Sequence, residues 1–121
     1  MEGRLGGLEA RANADPEFRL AARFWNAELA LCDESGGQLV KIEDGRVRGL
    51  RPYAPGDACD VSISAPREEW DRFLAPVPRP FYQDLWGAWT RHGFELDGDL
   101  DSLYAYYPAL RRMFDLLRAD G

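Results

Sequence analysis

His92, the only histidine in this chain, is one residue type that could do acid–base chemistry. Asp84, Glu95 and Asp97 lie close to it in sequence, so an imidazole paired with a carboxylate could act as a general base. No serine or cysteine nucleophile is spaced to use such a base, and one histidine alone names no reaction. Placed directly before Gly93, at the end of a helical pattern, His92 reads as a last-turn residue facing the helix dipole. Asp97, Asp99 and Asp101 alternate like the first ligands of a calcium loop. That loop would need glycine where Ser102 stands and a bidentate glutamate where Pro108 stands. The pattern fails, and capping of a helix N-terminus explains these acids better. Cys32 and Cys59 are too far apart for a CxxC pair and have no histidine cluster to join, so they read as small buried hydrophobes on strands. Tyr104, Tyr106 and Tyr107 could aim a hydroxyl at a desolvated carboxylate, as in an isomerase-like site, but no motif requires them there. The expected catalytic residues are none, and neither a metal nor a cofactor is expected.

Binding chemistry has a stronger signal. Eleven of the fifteen aromatic residues lie from Trp70 onward. Positions 81, 85 and 89 share one helical face, with Tyr82 and Trp86 bordering it. Tryptophan and tyrosine carry polar tips that want partners, so aliphatic chains fill a dry core more cheaply. The excess marks Trp70, Phe81, Tyr82, Trp86, Trp89, Tyr104 and Tyr107 as candidate walls of an apolar ligand site. The competing reading is that these rings simply fill the core.

The elements that would position these rings follow from periodicity. A helical stretch runs from about Leu5 to Trp25, interrupted at Asp15-Pro16, where aspartate suits an N-cap and proline the first helical position. Ala27, Leu29 and Leu31 then alternate with Glu28 and Cys32, the period of a strand with one apolar face. Gly36-Gly37 turns the chain into a second strand, and Asp44-Gly45 is a strong signal for a two-residue hairpin into a third, Arg46 to Arg51. A proline-containing loop leads to the strand Ala58 to Ser64 and the helix Pro66 to Leu74, with Trp70, Phe73 and Leu74 on one stripe. Pro76, Pro78 and Pro80 impose an extended stretch. A helix from Phe81 to about Arg91, a strand from Phe94 to Asp97 and a last helix to Arg118 complete the order. In the last helix Leu100, Leu103, Tyr107, Leu110, Phe114 and Leu117 form an apolar stripe, and Pro108 should kink or split it. The fold class is α+β: a five-stranded, mostly antiparallel sheet with helices packed on one face and the other face wet. Leu29, Leu31, Val61, Ile63, Trp70, Leu96, Leu103 and Leu110 are expected to meet in the core.

The totals bound the class of partner. A chain of 121 residues is one domain, 1–121, with residues 1–14 expected as a loosely ordered N-terminal helix. The net charge is −6, and no basic run exceeds Arg111-Arg112. Nucleic acid is therefore excluded, and an anionic membrane surface is disfavoured. No apolar run approaches the roughly 20 residues of a membrane span, and the first residues do not read as a secretory signal, so the expected location is cytoplasmic. Lys41 is the only lysine among fifteen basic residues, an association with GC-rich bacterial coding rather than a physical inference.

The hairpin Ile42-Glu43-Asp44-Gly45-Arg46-Val47, the strand Asp60-Val61-Ser62-Ile63 and the Gly98-Asp99 step before the last helix resemble the sterol carrier protein type-2-like domain family. The resemblance covers about Asp15 to Arg118. It implies a lipid-binding α+β fold with an apolar cavity between sheet and helices. The ring-rich helices depart from that pattern and imply a compact ligand. Three functions follow: non-catalytic binding of a small apolar or lipid-like ligand, an accessory interaction or dimerisation domain with a filled cavity, or a small pocket enzyme of a biosynthetic pathway. The expected partners are a small apolar ligand and, for the second function, another copy of the chain.

Overall fold

A computed structural model describes residues 2–77 and 85–119. After a short 3-10 turn at Glu2–Arg4 come α1 (Leu8–Ala14), α2 (Pro16–Ala22), β1 (Ala27–Asp33), β2 (Gly36–Glu43) and β3 (Arg46–Tyr53). Then follow β4 (Val61–Ser64), α3 (Arg67–Phe73), α4 (Leu85–Arg91), β5 (Glu95–Gly98), α5 (Leu100–Ala105) and α6 (Tyr107–Ala119). The five strands form one sheet in the order β3-β2-β1-β4-β5. Only β1 and β4 run parallel; the other three pairings are antiparallel. The expected α+β class and element order are those observed.

Local chemistry accounts for the turns. Asp44 and Gly45 both adopt positive φ, 50° and 74°, as a two-residue primed turn requires. The β1–β2 turn falls on Glu34-Ser35 and not on Gly36-Gly37 as the sequence suggests, because Asp33 Oδ1 accepts from the Ser35 amide and hydroxyl at 2.8 and 2.6 Å. That bonding closes the turn two residues early. Asp15 caps α2 as expected, accepting from the Phe18 amide at 2.7 Å. Pro108 splits the last helix: α5 ends at Ala105 and α6 restarts at Tyr107.

One face of the sheet carries Leu29, Leu31, Val40, Ile42, Val47, Val61 and Ile63 into a single core. The helices close it with Leu8, Phe18, Trp70, Phe73, Leu103, Leu110 and Phe114, among others. Leu96, on edge strand β5, is only half-buried at the margin of this cluster. Leu100 departs from its expected place in the apolar stripe and faces solvent. The N-terminal segment, expected to be loose, is docked: Leu5, Leu8 and Ala12 are fully buried. It is tied down by Asn13, whose side-chain amide donates to the Val47 carbonyl at 2.9 Å and accepts from the Val47 amide at 2.8 Å. A side chain thus serves as the missing partner on edge strand β3, beside the register shift between Val40 and Ile42.

Candidate functional site

The seven candidate ring residues divide. Trp70 belongs to the core: it is fully buried, edge-on to Phe94 and Phe73, and its indole N–H donates to the Cys32 carbonyl at 2.8 Å. Trp70, Phe73, Phe94 and Phe114 pack with centroids 4.9 to 6.2 Å apart, in the space between sheet and helices where the ligand cavity was expected. Phe81 and Tyr82 lie outside the described residues.

Trp86, Trp89, Tyr104 and Tyr107 come together elsewhere. Leu85 and Ala88 are the buried face of α4, which puts Trp86 and Trp89 on its flank. Tyr107, one residue past the α5–α6 break, stacks on Trp86 with centroids 4.7 Å apart, and its hydroxyl accepts from the Leu85 amide at 3.1 Å. These two contacts pin the start of α4 to α6. Asp99 starts α5 by accepting from the Ser102 amide at 3.1 Å. With Leu103 turned inward, Leu100 and Tyr104, one turn apart, project outward beside Trp86. Trp86 meets Trp89 at 5.6 Å and 49°, and Tyr104 at 6.2 Å and 42°. These tilts make a concave wall. The result is an open groove of about 550 Å³ lined by Trp86, Trp89, Leu100, Asp101 and Tyr104. Trp89, Leu100 and Tyr104 are 43%, 38% and 74% exposed. An aromatic trough with a single carboxylate can hold a flat apolar body against ring faces. Among the described residues its lining has no serine, cysteine, lysine or histidine.

A second groove was not legible in the sequence. On the sheet face away from the helices, Cys32, Ser62, Ser64 and Glu95 line about 470 Å³ with Tyr53, Pro55, Ala65 and Pro66. Ala30 and Leu39 are buried on the same face, outside the main core, so this side of the sheet is not uniformly wet as expected. Cys32 and Cys59 are partly exposed, contrary to the expected burial. Gly37, opposite Cys32, leaves the space its sulfur fills; a Cβ there would stand 2.6 Å from Sγ. Burial raises the Cys32 thiol above its ordinary pKa against the opposing hydrogen bond with Ser64. Contact with the Cys59 sulfur, 3.5 Å away, and burial push the Tyr53 phenol up to about 12. A thiol and a phenol both held protonated at neutral pH are poor nucleophiles. The alternation of Cys32, Ser62 and Ser64 was visible, but the position of the loop after Tyr53 was not.

His92 pairs with neither Glu95 nor Asp97; its Nδ1 lies 4.0 Å from Glu69 Oε2 on α3, and Asp84 is outside the described residues. Asp97 accepts from the Gly98 amide and Asp99 caps α5, so both serve turns. Among the described residues no three histidine, cysteine or acidic side chains are grouped to hold a metal ion. No helix among them is long and apolar enough to cross a membrane.

Comparison with solved structures identifies the architecture. The chain superposes on sterol carrier protein 2 with a TM-score of 0.78 at 21% identity, covering 96% of this chain and 94% of that one. A conserved hypothetical protein of Thermus thermophilus matches with a TM-score of 0.72 at 21% identity, over 98% and 87% of the two chains. The SCP2 domain of UbiJ, a ubiquinone synthesis protein, matches with a TM-score of 0.62 at 18% identity, over 96% and 93%. No family model and no curated protein sequence matches. The fold is that of sterol carrier protein 2.

Proposed function

We propose that the protein binds a compact apolar ligand without catalysis, in the open groove of Trp86, Trp89, Leu100 and Tyr104. The observation that carries this reading is the convergence of two tryptophans, a tyrosine and a leucine from α4 and α5 on one solvent-open concavity. The sterol-carrier fold supports it, because proteins of that architecture are named for apolar cargo. The groove takes the place of the expected internal cavity, where Trp70, Phe73, Phe94 and Phe114 now stand. A ligand gains on the order of 25 cal/mol for each Å² of apolar surface removed from water, so a flat aromatic or terpenoid body reaches roughly micromolar affinity.

The exposure of Trp89, Leu100 and Tyr104 favours a second reading, in which the same face receives a partner protein or a second copy of the chain. An acid–base enzyme has less support. The Tyr107 hydroxyl already accepts from the Leu85 amide, and the carboxylate of the groove, Asp101, is exposed rather than desolvated.

Tryptophan fluorescence titrated with fatty acids, sterols and small aromatics tests the reading. A saturable change is expected with at least one class, weakened about tenfold or more in Trp89→Ala, which removes an exposed ring without touching the core. Absence of any saturable change, with a dimer in native mass spectra, would transfer the groove to the second reading. Binding that survives both Trp86→Ala and Trp89→Ala would keep the function and discard the site.

A further inference from the structure

The groove of α4 and α5 carries a charge as well as apolar walls. Asp101 and Tyr104 are three residues apart on α5, which makes them neighbours on its surface, and both line the groove with Trp86, Trp89 and Leu100. No basic residue is among these five, although α4 ends in Arg91. Elsewhere carboxylates are matched: Asp15, Glu17, Glu28 and Asp115 each face an arginine. Among the described residues, no basic nitrogen lies within 4.0 Å of Asp97, Asp99 or Asp101. Asp97 and Asp99 each accept a single backbone amide at the turn from β5 into α5. Unneutralised negative charge therefore gathers where α5 begins, and Asp101 brings it into the groove wall.

The rings have the same preference. An aromatic face is electron-rich and attracts a cation held within about 6 Å of the ring centroid. Tyr107 stacks on Trp86 at 4.7 Å and covers one face of it. Trp89 and Tyr104 flank Trp86 with centroids 5.6 and 6.2 Å away, tilted by 49° and 42° from its plane. A positive head seated against Trp86 would have both flanking rings and the Asp101 carboxylate beside it. The volume of about 550 Å³ is that of a small-molecule site.

We infer that the groove selects a small organic cation, a compact apolar body carrying a quaternary or methylated ammonium, free in solution. The inference rests on the apolar-ligand reading of this groove and adds a charge to the ligand. A primary ammonium fits less well, because it is strongly hydrated and has three N–H donors to satisfy, whereas the walls are rings and a single carboxylate. A methylated head sheds water at lower cost and lays its charge on the ring faces through its methyl groups. A fatty acid is disfavoured by the same walls, since its carboxylate would enter a site that is already negative.

Three ligands that share a benzene ring and differ in the charge of a tetrahedral head test it: phenyltrimethylammonium, the uncharged tert-butylbenzene and the anionic benzenesulfonate. Each is titrated against tryptophan fluorescence. Phenyltrimethylammonium should bind about fivefold tighter than tert-butylbenzene or better, with benzenesulfonate weakest, and the preference should shrink at high salt. Trp89→Ala should weaken binding of the cation about tenfold. Asp101→Asn should narrow the preference for the cation over tert-butylbenzene about threefold, and Asp101→Glu, which keeps the charge, should retain it. If cation and neutral isostere bind alike, or Asp101→Asn keeps the full wild-type preference, the inference is overturned and the apolar reading of the groove stands. Absence of saturable binding by both overturns the two together. Tighter binding of a trimethyllysine peptide than of phenyltrimethylammonium would make the occupant a protein segment and would also overturn it.

Discussion

Asp15 joins two distant parts of the chain. Its carboxylate accepts from the Phe18 amide as the cap of α2, and it receives the Arg112 guanidinium through Nε and a terminal nitrogen, both at 2.9 Å. Glu17 adds a third oxygen 3.1 Å from Arg112. The Arg112 hydrogen bond, foremost, holds the Asp15 carboxyl below its ordinary pKa, and Asp15 in turn raises Arg112. Asp15→Ala removes both the cap and a two-pronged ion pair and should cost about 2 kcal/mol, read from urea midpoints near neutrality. A carboxyl whose folded pKa is depressed stabilises the protein above its unfolded pKa of about 3.9, and that contribution is lost as pH falls through the lower folded value. The difference between wild type and Asp15→Asn should therefore be full at neutral pH and shrink on acidification. A difference that is constant with pH would mean that folding does not depress the Asp15 carboxyl. The cap was legible from the Asp15-Pro16 dipeptide, but the arginine, 97 residues away, was not.

At the scale of elements, the β4–β5 edge depends on one crossing. Asp60 accepts from the Glu28 amide with its carboxylate at 2.7 Å, donates its own amide to the Glu28 carbonyl at 2.9 Å, and accepts from the Asp99 amide at 2.8 Å. One residue thereby joins β1, the start of β4 and the end of β5. Gly98 pairs with Val61 at φ 104°, and a Cβ there would overlap the Asp60 carbonyl. Gly98→Ala combines a forbidden φ with a backbone clash and should cost at least about 2 kcal/mol. Because α5 starts directly after β5, hydrogen exchange should show lost protection in β5 and α5 before the rest of the sheet. Uniform loss of protection would mean that the edge unfolds only with the whole domain. The Gly98-Asp99 step was visible in the sequence as a strand end and a helix cap. The neighbouring carbonyl that demands glycine comes from a strand paired only in the fold.

At the scale of the whole molecule, one core spans every layer. Ile63 on β4 and Leu110 on α6 are both fully buried within the same cluster. Replacing either by alanine should cost about 2–5 kcal/mol in chemical denaturation, the range for deleting buried aliphatic volume from a packed interior. A loss below about 0.5 kcal/mol, typical of surface positions, would mean that the sheet face or the helix stripe is misassigned. The aromatic groove lies outside this core and joins α4 to α5. It combines residues from two elements on a rigid support, as binding sites commonly do.

Periodicity and turn chemistry, both local, were sufficient to determine the elements and the α+β class. Leu29 and Leu31 alternate as the pleat requires, Asp44-Gly45 suits a primed turn, and Pro108 cannot continue a helix without losing a backbone bond. The sequence also determined that the aromatic excess lay in the second half of the chain. It did not determine which rings would become core and which surface, because helical spacing looks alike for Trp70 and Trp86 until the sheet is in place. Trp70 meets the end of β1 and is buried by it; Trp86 and Trp89 sit one step round their helix from the buried Leu85 and Ala88 and remain at the rim. Charge follows the same rule. Asp101 is twelve residues from Trp89 in the chain, and only the packing of α5 beside α4 brings its carboxylate to the tryptophans. Non-local pairing decides side-chain neighbours, and binding depends on neighbours.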